Sequence, residues 1–193
     1  MRFLTDFADQ AVILPLVAMV GVVLVAQGWR RGGAAWLAAI GATFAVMLAL
    51  KLLFLGCVAV FGPADLRSPS GHVAAAAVVS GGVAAIFGRG WRSVAAIALA
   101  AGFAIGGTRL GLRAHSWPEV ILGAGIGLAG ALALRRLAGP APPLRPRPLI
   151  LAAAVVLALF HGRHLEAEIV IRQAAAETGL LPPWCQPNHG IAR

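Results

Sequence analysis

The sequence predicts an all-α polytopic membrane bundle of about six transmembrane helices. Three observations carry this reading. Of the 193 residues, 60% are hydrophobic and 12% charged, about half the ~25% charge of a soluble domain. The mean hydropathy is +0.86. The apolar residues also fall in long runs separated by short Arg, Gly and Pro punctuation, the pattern of membrane helices and their turns.

In order, the apolar segments are 11–27, 34–60, 72–88, 91–107, 118–138 and 148–161. The stretch Met1 to Gln10 carries Asp6 and Asp9 beside Arg2 and lacks a convincing small-residue cleavage site. It is expected to stay as a helix rather than act as a signal peptide. Segments 72–88 and 91–107 are close to the lower limit of about 17 residues for a span, and 148–161 suits a buried or interfacial helix equally well. Gly102 with Gly106, and Gly123 with Gly127, set small residues four apart, a spacing that lets helix backbones approach. Trp29, Trp36, Trp91 and Trp117 stand at segment ends and are expected in the headgroup layer. The bundle is expected over 1–162, followed by a tail over 163–193. Within the tail, 163–178 mixes Leu165, Ile169, Val170 and Ile171 with charges, as an interfacial helix does, and Pro182 and Pro183 end any helix.

The net charge of +9 and pI near 11.7 do not point to nucleic acid, because the arginines form small clusters between apolar runs rather than one basic stripe. They report orientation instead. Threading six spans puts 28–33, 89–92 and 135–147 on one side, with Arg30, Arg31, Arg89, Arg92, Arg135, Arg136, Arg145 and Arg147 and no acid. That side is expected to be cytoplasmic. The opposite, outer side receives the amino terminus, the loops at 61–71 and 108–117, and the tail. The acids Asp6, Asp9, Asp65, Glu119, Glu166, Glu168 and Glu177 lie there or at a helix end facing it.

Two motifs share that outer side. Pro69-Ser70-Gly71-His72 opens the third segment, so its backbone N–H groups form the start of a helix, where an anion is favoured. Ser70 suits a cap or a hydroxyl donor to a phosphate oxygen, and Gly71 allows close approach. The second motif is Thr108-Arg109, then His115, then Glu119, with Pro118 suited to a first helical turn. A spacing of four lets Glu119 reach the His115 ring, fixing one nitrogen as a donor and leaving the other to attack. Lys51 is an ionisable residue within an apolar segment and so a functional candidate. Arg67 stands just before Pro69. Phosphoryl transfer needs a positioned nucleophile and acid and charge for the equatorial oxygens, and Arg109, Lys51 and the helix start could supply that charge.

These motifs resemble the type-2 phosphatidic acid phosphatase family, whose members carry Lys-x6-Arg-Pro, Pro-Ser-Gly-His and Ser-Arg-x5-His-x3-Asp. The second is complete here. The third matches at Arg109 and His115, with Thr108 for Ser and Glu119 for Asp. In the first, Lys51 is followed by Val58 and Ala59 where Arg-Pro is expected, so either Lys51 serves alone or Arg67 replaces the arginine. The resemblance implies that His115 forms a phosphohistidine, Glu119 orients it and His72 protonates the leaving lipid oxygen. Arg109, with the Ser70 and Gly71 amides, would hold the phosphate.

The expected function is hydrolysis of a lipid phosphate or diphosphate at the outer face of a membrane, a bacterial inner membrane being the expected location. A phosphotransferase would share these residues. A scaffold or transporter that retains the motifs is the non-enzymatic alternative, and the membrane-buried composition argues against a vanadate haloperoxidase. The expected partners are the lipid phosphate and membrane lipids; oligomerisation has no support in the sequence. No cofactor or metal is expected, since Asp65 and Glu119 are the only acids near these loops and a magnesium site needs clustered carboxylates. His161, His164, Cys185 and His189 are too irregularly spaced for a metal site, and Cys57 with Cys185 does not suggest a disulfide framework.

Overall fold

The computed structural model describes residues 1–56, 68–165, 170, 171 and 173. Cys57, Asp65, Arg67 and Cys185 lie outside these residues, as does most of the expected tail. Among the described residues the fold is all-α, with seven helices: α1 Arg2–Asp6, α2 Gln10–Ala26, α3 Arg30–Gly56, α4 Gly71–Ile86, α5 Trp91–Gly111, α6 Trp117–Ala138 and α7 Pro146–Phe160. Four stretches are long and apolar enough to cross a membrane: Phe3–Ala26, Arg30–Phe54, Trp91–Gly111 and Trp117–Ala138. Gly71–Ile86 and Pro146–Phe160 are shorter apolar helices.

Helix α4 is the centre of the bundle, packed against α2, α3, α5 and α6. Its sequence, GHVAAAAVVSGGVAAI, is apolar on every side, as a helix surrounded by others must be. Val73, Ala74, Ala77 and Val78 are fully buried. The small side chains allow several helices to gather round one axis. The glycine pair of α6 sits directly on α4: a Cβ on Gly127 would lie 2.5 Å from Ala74 O and 2.6 Å from Ala77 Cβ, and one on Gly123 would lie 2.5 Å from Ser70 O. The other pair serves α5, with Gly106 facing Val120 of α6 and Gly102 facing Ala77 of α4. Both pairs are therefore contact surfaces, and the α4–α6 contact brings the start of α4 beside the start of α6.

Three sequence expectations change. Residues 108–111 belong to α5 rather than to a loop, because Thr108 Oγ1 donates to Ile105 O (2.7 Å) within the helix and the turn that ends α5 comes later. The 28–33 loop contracts, since α3 begins at Arg30. Gly33 there meets the α2 backbone, where an added Cβ would lie 3.0 Å from Gly21 O. Finally, Trp91 and Trp117 are exposed at helix starts as expected, but Trp29 and Trp36 are core residues. Trp36 resolves its polar handle internally, with Nε1 donating to Val17 O at 2.9 Å, which removes the need for a headgroup position.

Among the described residues, the arginine-rich loops lie at one end of the bundle and the amino terminus and the 112–116 turn at the other. At one end, Arg31 Nε donates to Leu137 O (2.9 Å), Arg135 Nε to Arg89 O (3.0 Å) and the Arg145 N–H to Gln27 Oε1 (2.7 Å). At the other, Thr5 meets Thr108 through their hydroxyls (2.8 Å), and the Leu165 N–H donates to Asp9 (3.2 Å).

Gly127→Ala should overpack the α4–α6 contact and cost about 1–3 kcal/mol. Gly125→Ala, on the same helix but with open space around its Cβ, should be neutral or slightly stabilising. Thermal unfolding in detergent distinguishes them; equal melting temperatures for the two variants would refute close packing at Gly127.

Candidate active site

The turn between α5 and α6 presents His115. Helix α5 stops in a Schellman turn: the Arg113 N–H donates to Leu110 O and the Ala114 N–H to Arg109 O, both at 2.9 Å. Arg113 takes a left-handed φ of 53°. Helices α2 and α4 end in the same hydrogen-bond pattern, with Gly28 and Gly88 at the left-handed position. At Arg113 a side chain takes the conformation at a cost of about 1–2 kcal/mol. The chain then reverses through His115 into α6, whose N-cap is Ser116 and whose third residue is Glu119, a capping box with Pro118 in the first turn.

Glu119 is 5% exposed, and its carboxylate joins three segments. Oε2 accepts from the Ser116 N–H at 3.1 Å and from His115 Nδ1 at 2.8 Å, while Oε1 accepts from the Ser68 N–H at 2.8 Å. Its backbone carbonyl accepts from the Ser70 N–H at 3.1 Å. A helix amino terminus stabilises this buried anion. The extra methylene relative to Asp does not prevent contact with His115. With Nδ1 committed to the carboxylate, Nε2 is the ring nitrogen left for other chemistry.

The His115 ring is held below its ordinary pKa, first by burial; Glu119 pulls in the opposite direction, and the Arg109 and Lys51 charges push further down. The ring therefore stays neutral and nucleophilic to lower pH than an ordinary imidazole. Both cations act on this one ring, which places them around the same centre. Arg109 lies in the last turn of α5. Lys51 is buried, and its Nζ donates to Ser68 Oγ at 3.1 Å.

The Pro-Ser-Gly-His segment reaches the same place, with one correction. The Ser70 amide, expected to face a phosphate, is engaged by the Glu119 carbonyl. What Ser70 offers is its hydroxyl, fully buried and without a hydrogen-bond partner among the described residues. The open N–H groups of the helix start are those of Gly71, His72 and Val73, which have no preceding turn to donate to. Gly71 lies against Lys51, where an added Cβ would be 3.6 Å from Cε. His72 is partly exposed, with Nε2 3.6 Å from Asp9 Oδ2. The structure thus gathers His115, Glu119, Arg109, Lys51, Ser70, Gly71 and His72; Arg67 lies outside the described residues.

Sequence reasoning missed Ser68 and Asp9. Ser68 is an ordinary polar residue beside a motif and gave no signal. Asp9 gave one, since an acid placed just before an apolar segment is a candidate helix N-cap. Beside this centre, a cavity of about 260 Å³ is lined by Gln10, Leu14, Phe44, Met47, Leu48 and Ile171 together with Lys51 and Gly71.

Nitrogen-15 NMR of the histidine rings should find one imidazole, assigned by its loss in His115→Ala, titrating below the ordinary histidine value. Because Glu119 raises the His115 pKa, Glu119→Gln should lower it further. An upward shift in that variant would contradict the observed contact.

With this geometry in place, comparison with known proteins is informative. Residues 58–141 match the family model of the PAP2 superfamily, a stretch that includes Ser70, Gly71, His72, Arg109, His115 and Glu119 and excludes Lys51. The chain is also 34% identical over 138 residues to an uncharacterized 22.5 kDa protein in the cps region of Klebsiella pneumoniae, a match that covers 67% of this chain and 65% of that protein. No solved structure matches significantly. The likeness to the PAP2 superfamily thus lies in residues 58–141, the stretch that holds both motifs of the site.

Proposed function

We propose that this protein hydrolyses a lipid phosphate or diphosphate at the outer face of a membrane, through a phosphohistidine formed at His115. The observation that carries the reading is the 2.8 Å contact of His115 Nδ1 with Glu119, which turns a ring kept neutral at the ordinary working pH into an oriented nucleophile. His115 Nε2 attacks phosphorus as the bond to the leaving oxygen breaks, and protonated His72 supplies the proton that oxygen takes up. Water then attacks the phosphohistidine. His72, now neutral, accepts the proton of that water, phosphate leaves and His115 is regenerated. Arg109, Lys51, the Ser70 hydroxyl and the first amides of α4 balance charge on the equatorial oxygens.

The lipid substrate is supported by the cavity beside the site. Its lining is mostly apolar and includes Lys51 and Gly71, so a lipid chain in the cavity could carry its phosphate to Lys51. The outer-face placement is supported by charge: the arginine-rich loops gather at the end of the bundle away from the site, and such loops stay cytoplasmic.

In purified protein with a chelator present, wild type should release phosphate from a panel of lipid phosphates. His115→Ala should fall to background and His72→Ala should lose about 10²–10⁴-fold; equal release by all three would overturn the catalytic assignment. The leaflet is tested by Ala114→Cys against Gly90→Cys, with Cys57 and Cys185 replaced by serine. An impermeant thiol reagent on intact cells should label the first and spare the second, and the reverse pattern would place the site inside.

A further inference from the structure

We propose that Asp9 is the positioning residue for His72, holding the acid of the reaction as Glu119 holds the nucleophile. This rests on the phosphatase reading above and adds a residue outside the matched stretch 58–141.

Asp9 is 5% exposed, and its two carboxylate oxygens have separate partners. Oδ1 is anchored by the backbone, accepting the Ala11 N–H at 2.8 Å as the N-cap of α2 and the Leu165 N–H at 3.2 Å. Oδ2 faces two histidines, His72 Nε2 at 3.6 Å and His164 Nδ1 at 3.6 Å. A cap needs only one oxygen. The second is a buried negative charge that requires a cationic or donating partner. Of the two rings, His164 is 58% exposed at its side chain and His72 25%, so His72 is the more shielded from solvent and feels the charge more strongly.

The carboxylate is held in place from several directions. Helix α1, which precedes it, is tied to α5 by the hydroxyl pair of Thr5 and Thr108 at 2.8 Å, next to Arg109. His161 packs against the rings of Phe3 and Phe7, with centroids at 4.7 and 4.6 Å, which joins α1 to the end of α7. Asp9 is therefore a fixed reference against which the His72 ring can orient.

The chemical consequence concerns which nitrogen works. Imidazolium carries a proton on each nitrogen. With Nε2–H directed at Asp9 Oδ2, Nδ1–H is the proton delivered to the leaving oxygen as its bond to phosphorus breaks. The ring becomes the neutral Nε2–H tautomer, still held by Asp9, and its bare Nδ1 then takes the proton of the attacking water. Asp9 acts through the ring alone and exchanges no proton itself.

The test uses the full-length protein with two esters that differ in their need for an acid: p-nitrophenyl phosphate, whose leaving group departs unprotonated, and a short-chain phosphatidate, whose alkoxide does not. Asp9→Asn and Asp9→Ser both keep an N-cap acceptor and remove the second carboxylate oxygen. Each should lower kcat on the phosphatidate by about 10–100-fold, a part of the ~10²–10⁴-fold that general acid catalysis supplies, with little change in KM and less than about threefold change on p-nitrophenyl phosphate. His164→Ala should leave both rates unchanged. Equal losses on the two esters would make Asp9 merely structural, and wild-type rates on the phosphatidate in both variants would also overturn the proposal. Failure of wild type on both esters would instead refute the phosphatase reading itself.

Discussion

The buried carboxylate of Glu119 is the interaction on which the site depends. It stands at the third position of α6, where the helix amino terminus favours a negative charge. From there it collects His115, Ser116 and Ser68, while its own carbonyl collects Ser70. One residue thus defines the tautomer of His115, caps its helix and fastens the Pro-Ser-Gly-His segment beside it. A carboxylate buried without these donors would be prohibitively costly, so the hydrogen bonds that orient the chemistry are the same ones that make the burial possible.

That arrangement requires α4 and α6 to lie very close, which the composition of α4 makes possible. A helix of alanine, valine and glycine is thin, and Gly123 and Gly127 let the α6 backbone rest on Ser70 and Ala74. Membrane helices associate through close packing rather than through expulsion of water. Small residues at these positions therefore do for this bundle what large apolar side chains do in a soluble core. The glycine nearest the site, Gly123, touches the carbonyl of a motif residue, so packing and site geometry cannot be varied independently.

The helices were legible because length, hydropathy and punctuation are local properties. All six apolar segments correspond to helices whose ends lie within a few residues of those expected. What was misplaced depended on neighbours. Trp29 and Trp36 follow the sequence rule for interfacial aromatics yet are buried, since a partner for the Trp36 N–H sits on α2. Arg109 was placed in a loop because α5 ends only at the left-handed turn of Arg113, which carries no glycine to announce it. The Ser70 amide was assigned to a phosphate because the carbonyl that engages it is remote in sequence, at Glu119.

The site divides along the same line. His72, Arg109, His115 and Glu119 were readable because their spacing within short motifs carries the chemistry, and a helical turn of four residues is enough to bring a carboxylate to an imidazole. The sequence by itself therefore determined the helical membrane class, the pairing of His115 with Glu119, and the division of charge between two ends. Only the tertiary structure decided that Lys51 reaches Ser68, that the Ser70 hydroxyl rather than its amide is available, and that Asp9 faces His72. The contacts behind these findings join residues 17 to 63 positions apart. No local period connects such positions; packing of the helices around α4 does.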